Sequence, residues 1–249
     1  MDPSPDIVPG VHGLGSREVN WYLVEEAGRL TAVDAGVPGF GTRLDADLAA
    51  LGHVPGDIAA VVLTHSDPDH VGLVQRFRDA GARVLINGAD EATLRKPKPK
   101  SGDGAPIKFV KELWRPQLWH LVATMMVRDG GIKVRPYKGD LETFSDGDVL
   151  DVPGQPRVIA TPGHTVGHSA MYFERHKALF VGDEMCTWNP LTGSRGPQLM
   201  PKSFNISLAQ CRDSLGAIEE IPADVLLPGH GEPWRDSVSA AVKRAREET

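Results

Sequence analysis

The sequence predicts a layered α/β domain. Short apolar runs bounded by turn residues recur along the chain, segments with apolar residues at helical spacing alternate with them, and 249 residues suffice to bury one sizeable core. Residues 20–24 and 30–34 read as a strand pair around the polar turn 25–29, so the chain opens with antiparallel sheet. Leu44, Leu48 and Leu51 stand at helical spacing, and the apolar run 59–63 reads as a buried strand stopping at Thr64-His65. A helix is expected to begin near His70, followed by strands at 83–86, 157–160, 170–173 and 178–181. Leu208, Cys211, Leu215 and Ile218 mark an amphipathic helix, 225–227 a last buried strand, and 237–248 a closing helix with a charged face.

Residues 96–135 stand apart as a helical insertion in a single domain spanning 1–249. The segment starts with KPKPKSGDG, which is loop chemistry, and then carries Leu118, Leu121, Val122, Met125 and Met126 at helical spacing. With Trp114 and Trp119 nearby, that stripe is read as a helix packed on the core rather than a substrate lid, and KPKPK as a solvated loop rather than a binding site.

A formal net charge of -6 and a pI near 5.8 speak against a nucleic-acid surface, which normally rests on a basic patch. The two cysteines, Cys186 and Cys211, suggest neither a disulfide framework nor a thiolate zinc site. The opening MDPSPDIVPGVHG lacks a basic and then apolar leader, and no apolar run reaches membrane-spanning length. The expectation is a cytoplasmic protein whose partner is a small molecule, with no nucleic acid and no membrane.

The run Thr64-His65-Ser66-Asp67-Pro68-Asp69-His70 packs four potential metal ligands into six residues directly after a buried strand, where α/β folds place functional groups. His164 in Thr-Pro-Gly-His and His230 in Pro-Gly-His-Gly follow two further predicted strands, and Asp183 ends another. Nitrogen and carboxylate donors without thiolate suit zinc, and also manganese or iron. His65, Asp67, Asp69, His70, His164, Asp183 and His230 are seven groups, more than one ion needs. Two divalent ions sharing a carboxylate would use them all.

In this order the motifs resemble those of the metallo-β-lactamase superfamily, from about Asn20 to Trp234. The resemblance implies a four-layer αββα sandwich with the metals in a cleft along one edge of two sheets. It implies that His65, Asp67 and His164 bind one ion, Asp69, His70 and His230 the other, and that Asp183 bridges them. Asp34, in Asp-Ala-Gly, and His168, in Gly-His-Thr-Val-Gly-His, resemble residues that buttress ligands from behind. One departure stands out: the second His of the leading H-x-H-x-D-H motif is Asp67, and a carboxylate there favours harder ions.

The resemblance also implies chemistry. A metal-bound hydroxide would attack an ester, lactone or thioester of a small molecule, with Asp69 orienting it and passing a proton to the leaving group. Exported β-lactamases lack the bridging Asp, glyoxalase II enzymes add a helical domain after the final His, and the tRNA-processing nucleases use a basic arm. None of these patterns is expected here. The alternatives are an iron-dependent oxidoreductase acting on oxygen or a sulfur species, a phosphodiesterase, or a non-catalytic sensor. Residues 186–201 are expected to form a substrate-facing loop, with Trp188 against an apolar group and Arg195 on an anionic one. Cys186 reads as a small buried residue.

Overall fold

The computed structural model describes residues 6–124, 126 and 135–248. Its first sheet contains β1 (Val11–Gly15), β2 (Asn20–Glu26), β3 (Arg29–Val33), β4 (Ile58–Val62), β5 (Arg83–Asn87) and β6 (Glu142–Phe144), in that spatial order. The pairs β1/β2 and β2/β3 are antiparallel, and β3 to β6 run parallel. Helices α1 (Leu44–Ala50), α2 (Val74–Asp79) and α3 (Glu91–Arg95) lie in the connections between its strands.

The second sheet is built from β7 (Arg157–Ala160), β8 (Ser169–Phe173), β9 (Ala178–Gly182) and β12 (Val225–Pro228), ordered β12-β9-β8-β7. Between β9 and β12 lie a separate hairpin, β10 (Met185–Trp188) with β11 (Arg195–Leu199), and helix α6 (Leu208–Ile218). Helix α7 (Val238–Glu247) closes the described chain. The remaining helices, α4 (Pro106–Phe109) and α5 (Pro116–Ala123), fall within the expected insertion.

Strand alternation sorts these elements into four layers, because successive side chains point to opposite faces of a sheet. Trp21, Leu23, Val61 and Leu63 face outward to meet Leu44 and Leu48 of α1 and Val74 and Phe77 of α2. Their neighbours Tyr22, Val24, Ala60 and Val62 face inward, against Phe173, Phe180 and Leu227 of the second sheet. Leu179, Val181 and Leu226 then face Cys211, Leu215 and Ile218 of α6 and Ala241 and Val242 of α7. Three apolar cores separate helix, sheet, sheet and helix, the αββα sandwich the motifs implied.

Several boundaries differ from expectation. The helix expected near His70 begins at Val74, because residues 70–73 spend their backbone groups on the segment after β3: Ala35 N–H donates to His70 O (2.7 Å), Gly72 N–H to Gly36 O (2.7 Å) and Leu73 N–H to Ala35 O (3.0 Å). Residues 186–201 are not an open loop. Most of them form the β10/β11 hairpin, whose second strand packs on α7, and Gln198 ties its tip through Asn189 and Ser194. In the insertion, α5 buries Leu118 and Leu121, while Trp114, Trp119, Val122 and Met126 are exposed, so the apolar stripe packs only in part; Met125 lies outside the described residues. No described helix is long and apolar enough to cross a membrane.

Candidate metal centre

All seven predicted ligand residues follow the C-terminal ends of strands that finish at one rim. His65 to His70 follow β4, His164 follows β7, Asp183 follows β9 and His230 follows β12. Because β3 and β4 run parallel in one sheet, and β9 and β12 in the other, their ends deliver side chains to the same edge. His65, Asp67 and His164 offer ligand atoms within 4.8 Å of one another, and so do Asp69, His70 and His230. Asp183 lies between the two groups: its Oδ2 is 3.1 Å from His230 Nε2, 3.3 Å from His164 Nε2 and 4.0 Å from His65 Nε2, and its Oδ1 is 3.4 Å from His70 Nε2. Gly229 makes room for this convergence, since a Cβ there would lie 2.3 Å from Asp183 Oδ1 and 2.6 Å from His70 Cε1.

The hydrogen bonds behind the histidines decide which ring nitrogen faces the centre. His70 Nδ1–H donates to Asp34 Oδ2 (2.8 Å), His164 Nδ1–H to Asn205 Oδ1 (2.8 Å), and His230 Nδ1–H to the carbonyl of Glu18. The Thr64 hydroxyl spends its proton on Asp34 (2.8 Å), so its oxygen accepts from His65 Nδ1–H (2.9 Å). Asn205 is oriented in turn, because its Nδ2 donates to Met200 O (2.8 Å). All four imidazoles therefore keep a proton on Nδ1 and turn Nε2 towards Asp183. The buried His65 Nε2, His70 Nε2 and Asp183 Oδ1 have no hydrogen-bond partner among the described residues, a costly arrangement for polar atoms. Four Nε2 atoms and a carboxylate converging in a buried site fit a divalent cation, and the nitrogen and oxygen donors fit zinc, manganese or iron.

The electrostatics show that the centre attracts positive charge. Burial pushes the Asp183 carboxyl up, but His230, His70 and His164 overcome it and hold it well below the usual carboxylate range. Burial opposes charging His70 and His230, yet Asp183 foremost raises both, His70 well above the ordinary histidine value and His230 to about 8. For His65, burial and then the neighbouring His70 hold the ring well below it. Glu184, next in sequence to Asp183, is fully buried, and burial alone pushes its carboxyl well above the usual range.

The two predicted buttressing residues act differently. Asp34 accepts from His70 Nδ1 and from the backbone N–H (2.8 Å) and hydroxyl of Thr64, and it sits at φ +61°, a conformation L residues adopt sparingly. His168 packs its ring against those of His65 (centroids 5.1 Å apart) and His164 (5.9 Å), and its ring nitrogens bond elsewhere. Its Nε2 accepts from the Asp183 backbone N–H (3.0 Å) while its Nδ1–H donates to Thr161 Oγ1 (2.8 Å), and burial holds its pKa down to about 3. Trp188 is buried in the outer core under the Arg17 guanidinium, and with Arg195 it lines a recess of about 180 Å³ beside Gly231 and Trp234.

Besides Asn205, two residues escaped the sequence reading. The buried Asp90 accepts from Gly167 N–H (2.8 Å), Thr165 Oγ1 (2.7 Å) and Ser66 Oγ (3.3 Å), tying the loop that carries His65 to the one that carries His164. Lys100, from the KPKPK run read as a solvated loop, has its ammonium 2.5 Å from Asp67 Oδ2 and 2.8 Å from His164 Nε2. That expectation is corrected: a carboxylate and an imidazole lone pair in one cleft attract a cation that water would otherwise hold. With burial opposing, Lys100 first and then His164 keep the Asp67 carboxyl well below its usual range.

Comparison with known proteins agrees with this architecture. An uncharacterized protein of Bacillus subtilis, YobT, is 28% identical over 175 residues, covering 66% of this chain and 61% of its own length. A hydroxyacylglutathione hydrolase of Klebsiella pneumoniae is 28% identical over 208 residues, covering 83% of this chain and 59% of its own. The chain thus spans about three-fifths of the length of the curated relatives it matches. Among solved structures, a metallo-beta-lactamase family protein of Thermus thermophilus superposes with a TM-score of 0.68 at 25% identity, covering 98% of this chain and 80% of that one. The family model of the Metallo-beta-lactamase superfamily matches residues 14–230, most of the sequence and every motif from Asp34 to His230, and the chain belongs to that superfamily.

Proposed function

We propose that this protein is a metal-dependent hydrolase of a small-molecule ester, lactone or thioester. The observation that carries the reading is the convergence of four Nε2 atoms on Asp183, each imidazole held by an acceptor on its far side. In this reading His65, Asp67 and His164 hold one divalent ion, Asp69, His70 and His230 hold a second, and Asp183 is shared. Divalent ions held there would polarise a carbonyl oxygen and bring the pKa of water from 15.7 towards about 7.

The chain's own residues supply the rest. Asp34, Thr64, Asn205 and the Glu18 carbonyl keep the rings aimed inward, which spares reorganisation when substrate arrives. Asp69, with Oδ2 3.6 Å from His230 Nε2 and its side chain partly exposed, is the carboxylate suited to take a proton on Oδ2 and return it to a leaving oxygen or sulfur. The relative named for hydroxyacylglutathione supports a thioester within the class.

Elemental analysis of protein purified without added metal, beside hydrolysis of lactone, thioester, phosphodiester and β-lactam model compounds, tests the reading. Bound zinc or manganese with ester-type turnover that Asp183→Ala abolishes is the expected result. Iron without hydrolysis would replace it with a redox function, and an absence of bound metal would refute it.

A further inference from the structure

Lys100 does not reach the centre by the reach of its side chain alone. Pro97 and Pro99 restrict the backbone that leads to it, and residues 102–104 are clamped against 203–208. Asp103 N–H donates to Ile206 O (2.9 Å), and Leu208 N–H donates to Asp103 Oδ2 (3.2 Å). Gly102, at φ +63°, lies so close that a Cβ would stand 2.0 Å from Ile206 O. The same anchoring segment carries Asn205, which orients His164, and Phe204, whose carbonyl accepts from Lys100 Nζ (2.6 Å). The ammonium's three protons thus have three acceptors: Asp67 Oδ2, His164 Nε2 and Phe204 O.

Two of those acceptors are atoms that the His65, Asp67 and His164 group would offer an ion. The other group differs, since among the described residues no lysine or arginine pairs with Asp69, His70 or His230. Each group holds one carboxylate and two imidazoles, so the asymmetry is one of placement: the segment clamped against 203–208 brings Lys100 to Asp67 and His164, and the Asp67 carboxylate gives its ammonium a negative charge to neutralise. We propose that Lys100 is a built-in cation of the His65–Asp67–His164 group, so that an ion entering there must displace it and the two groups load unequally, Asp69–His70–His230 first. The proposal rests on the metal-binding reading above and adds to it a residue that sets the order and strength of loading.

The test is Zn2+ titration of chelator-stripped protein against a chromophoric chelator, with zinc content checked after dialysis, for wild type, Lys100→Met and Lys100→Arg. Near-UV circular dichroism verifies the fold of each, and Lys100→Gln serves if methionine is not tolerated. Wild type is expected to bind in two steps. Lys100→Met should tighten the second step by about tenfold or more, the scale of one charge-assisted hydrogen bond removed from competition, and leave the first alone. Lys100→Arg should keep the gap, and His230→Ala should abolish the tight step. A second step that Lys100→Met leaves unchanged or weakens overturns the proposal while leaving metal binding intact, as does loss of the weak step in His230→Ala. Failure of every variant and of wild type to bind Zn2+ overturns the metal reading itself.

Discussion

Replacing Asp34 with asparagine changes one atom's chemistry and, through it, the state of a ring that faces the candidate metal centre. Asp34 Oδ2 accepts from His70 Nδ1 (2.8 Å) and from the Thr64 hydroxyl (2.8 Å), while Oδ1 accepts from Thr64 N–H (2.8 Å). In Asp34→Asn the amide oxygen keeps the Thr64 N–H, which leaves the NH2 group against His70. His70 Nδ1 must then accept, so its proton moves to Nε2, the atom aimed at Asp183. An Nε2–H cannot bind a metal, and restoring the original tautomer would set two donors face to face. Loss of such a supporting partner costs about 10–100-fold in metal affinity, or roughly 1.4–2.7 kcal/mol. Folding should survive, because every partner of Asp34 is still matched and asparagine tolerates φ +61° as well as aspartate does. Asp34→Ala is a different perturbation: it orphans the Thr64 N–H, the Thr64 hydroxyl and His70 Nδ1–H, at about 1–3 kcal/mol each, a large part of a typical domain's stability. The assay is Zn2+ affinity by chelator competition, with nitrogen-15 NMR of the imidazoles reporting the tautomer. Wild-type affinity in a folded Asp34→Asn protein, or an His70 resonance still showing Nδ1–H, would refute the reasoning.

Asp90→Ala should lower stability by about 2–4 kcal/mol in urea denaturation, since Gly167 N–H and the hydroxyls of Thr165 and Ser66 lose a buried acceptor; a change within error would show that these loops need no such tie. His168, held near a pKa of about 3, stays neutral in the folded protein while an unfolded chain takes up a proton below about 6.5. Its contribution is therefore present above that value and lost as pH falls towards 3. The stability of metal-free wild type should drop more steeply over this window than that of His168→Gln, and parallel curves would count against the assignment. Burial raises the thiol pKa of both Cys186 and Cys211, so a thiol-specific disulfide reagent at neutral pH should titrate neither in the folded protein and both after denaturation. Rapid reaction of a folded-state thiol would contradict the burial of Cys211 between the second sheet and its helices, or of Cys186 in β10.

Local signals were enough for the layered α/β class and for the ligand chemistry. The apolar runs of 20–24 and 59–63 and the helical spacing of Leu208, Cys211, Leu215 and Ile218 lie within single elements. The run from His65 to His70, and His164, Asp183 and His230 at strand ends, declare themselves by residue type and place. What the sequence hid depends on partners far along the chain. Strands β1 and β6 are short and lack a clear period, and they form because a neighbouring strand offers an edge. Hairpin β10/β11, rich in residues that disfavour strands, is held by its packing on α7, as tertiary contacts override weak local propensity. The start of α2 was misread because backbone groups of 70–73 are taken by 35–36. Lys100 reads locally as one charge in a solvated run, and only the fold brings it to His164, 64 residues away, and to the carbonyl of Phe204, 104 residues away. The sequence alone therefore determined which donor atoms this protein offers, because donor chemistry belongs to the side chain. The tertiary structure decided which nitrogen of each ring faces inward and which cation already stands among the donors, because hydrogen-bond partners and local charge are properties of the assembled chain.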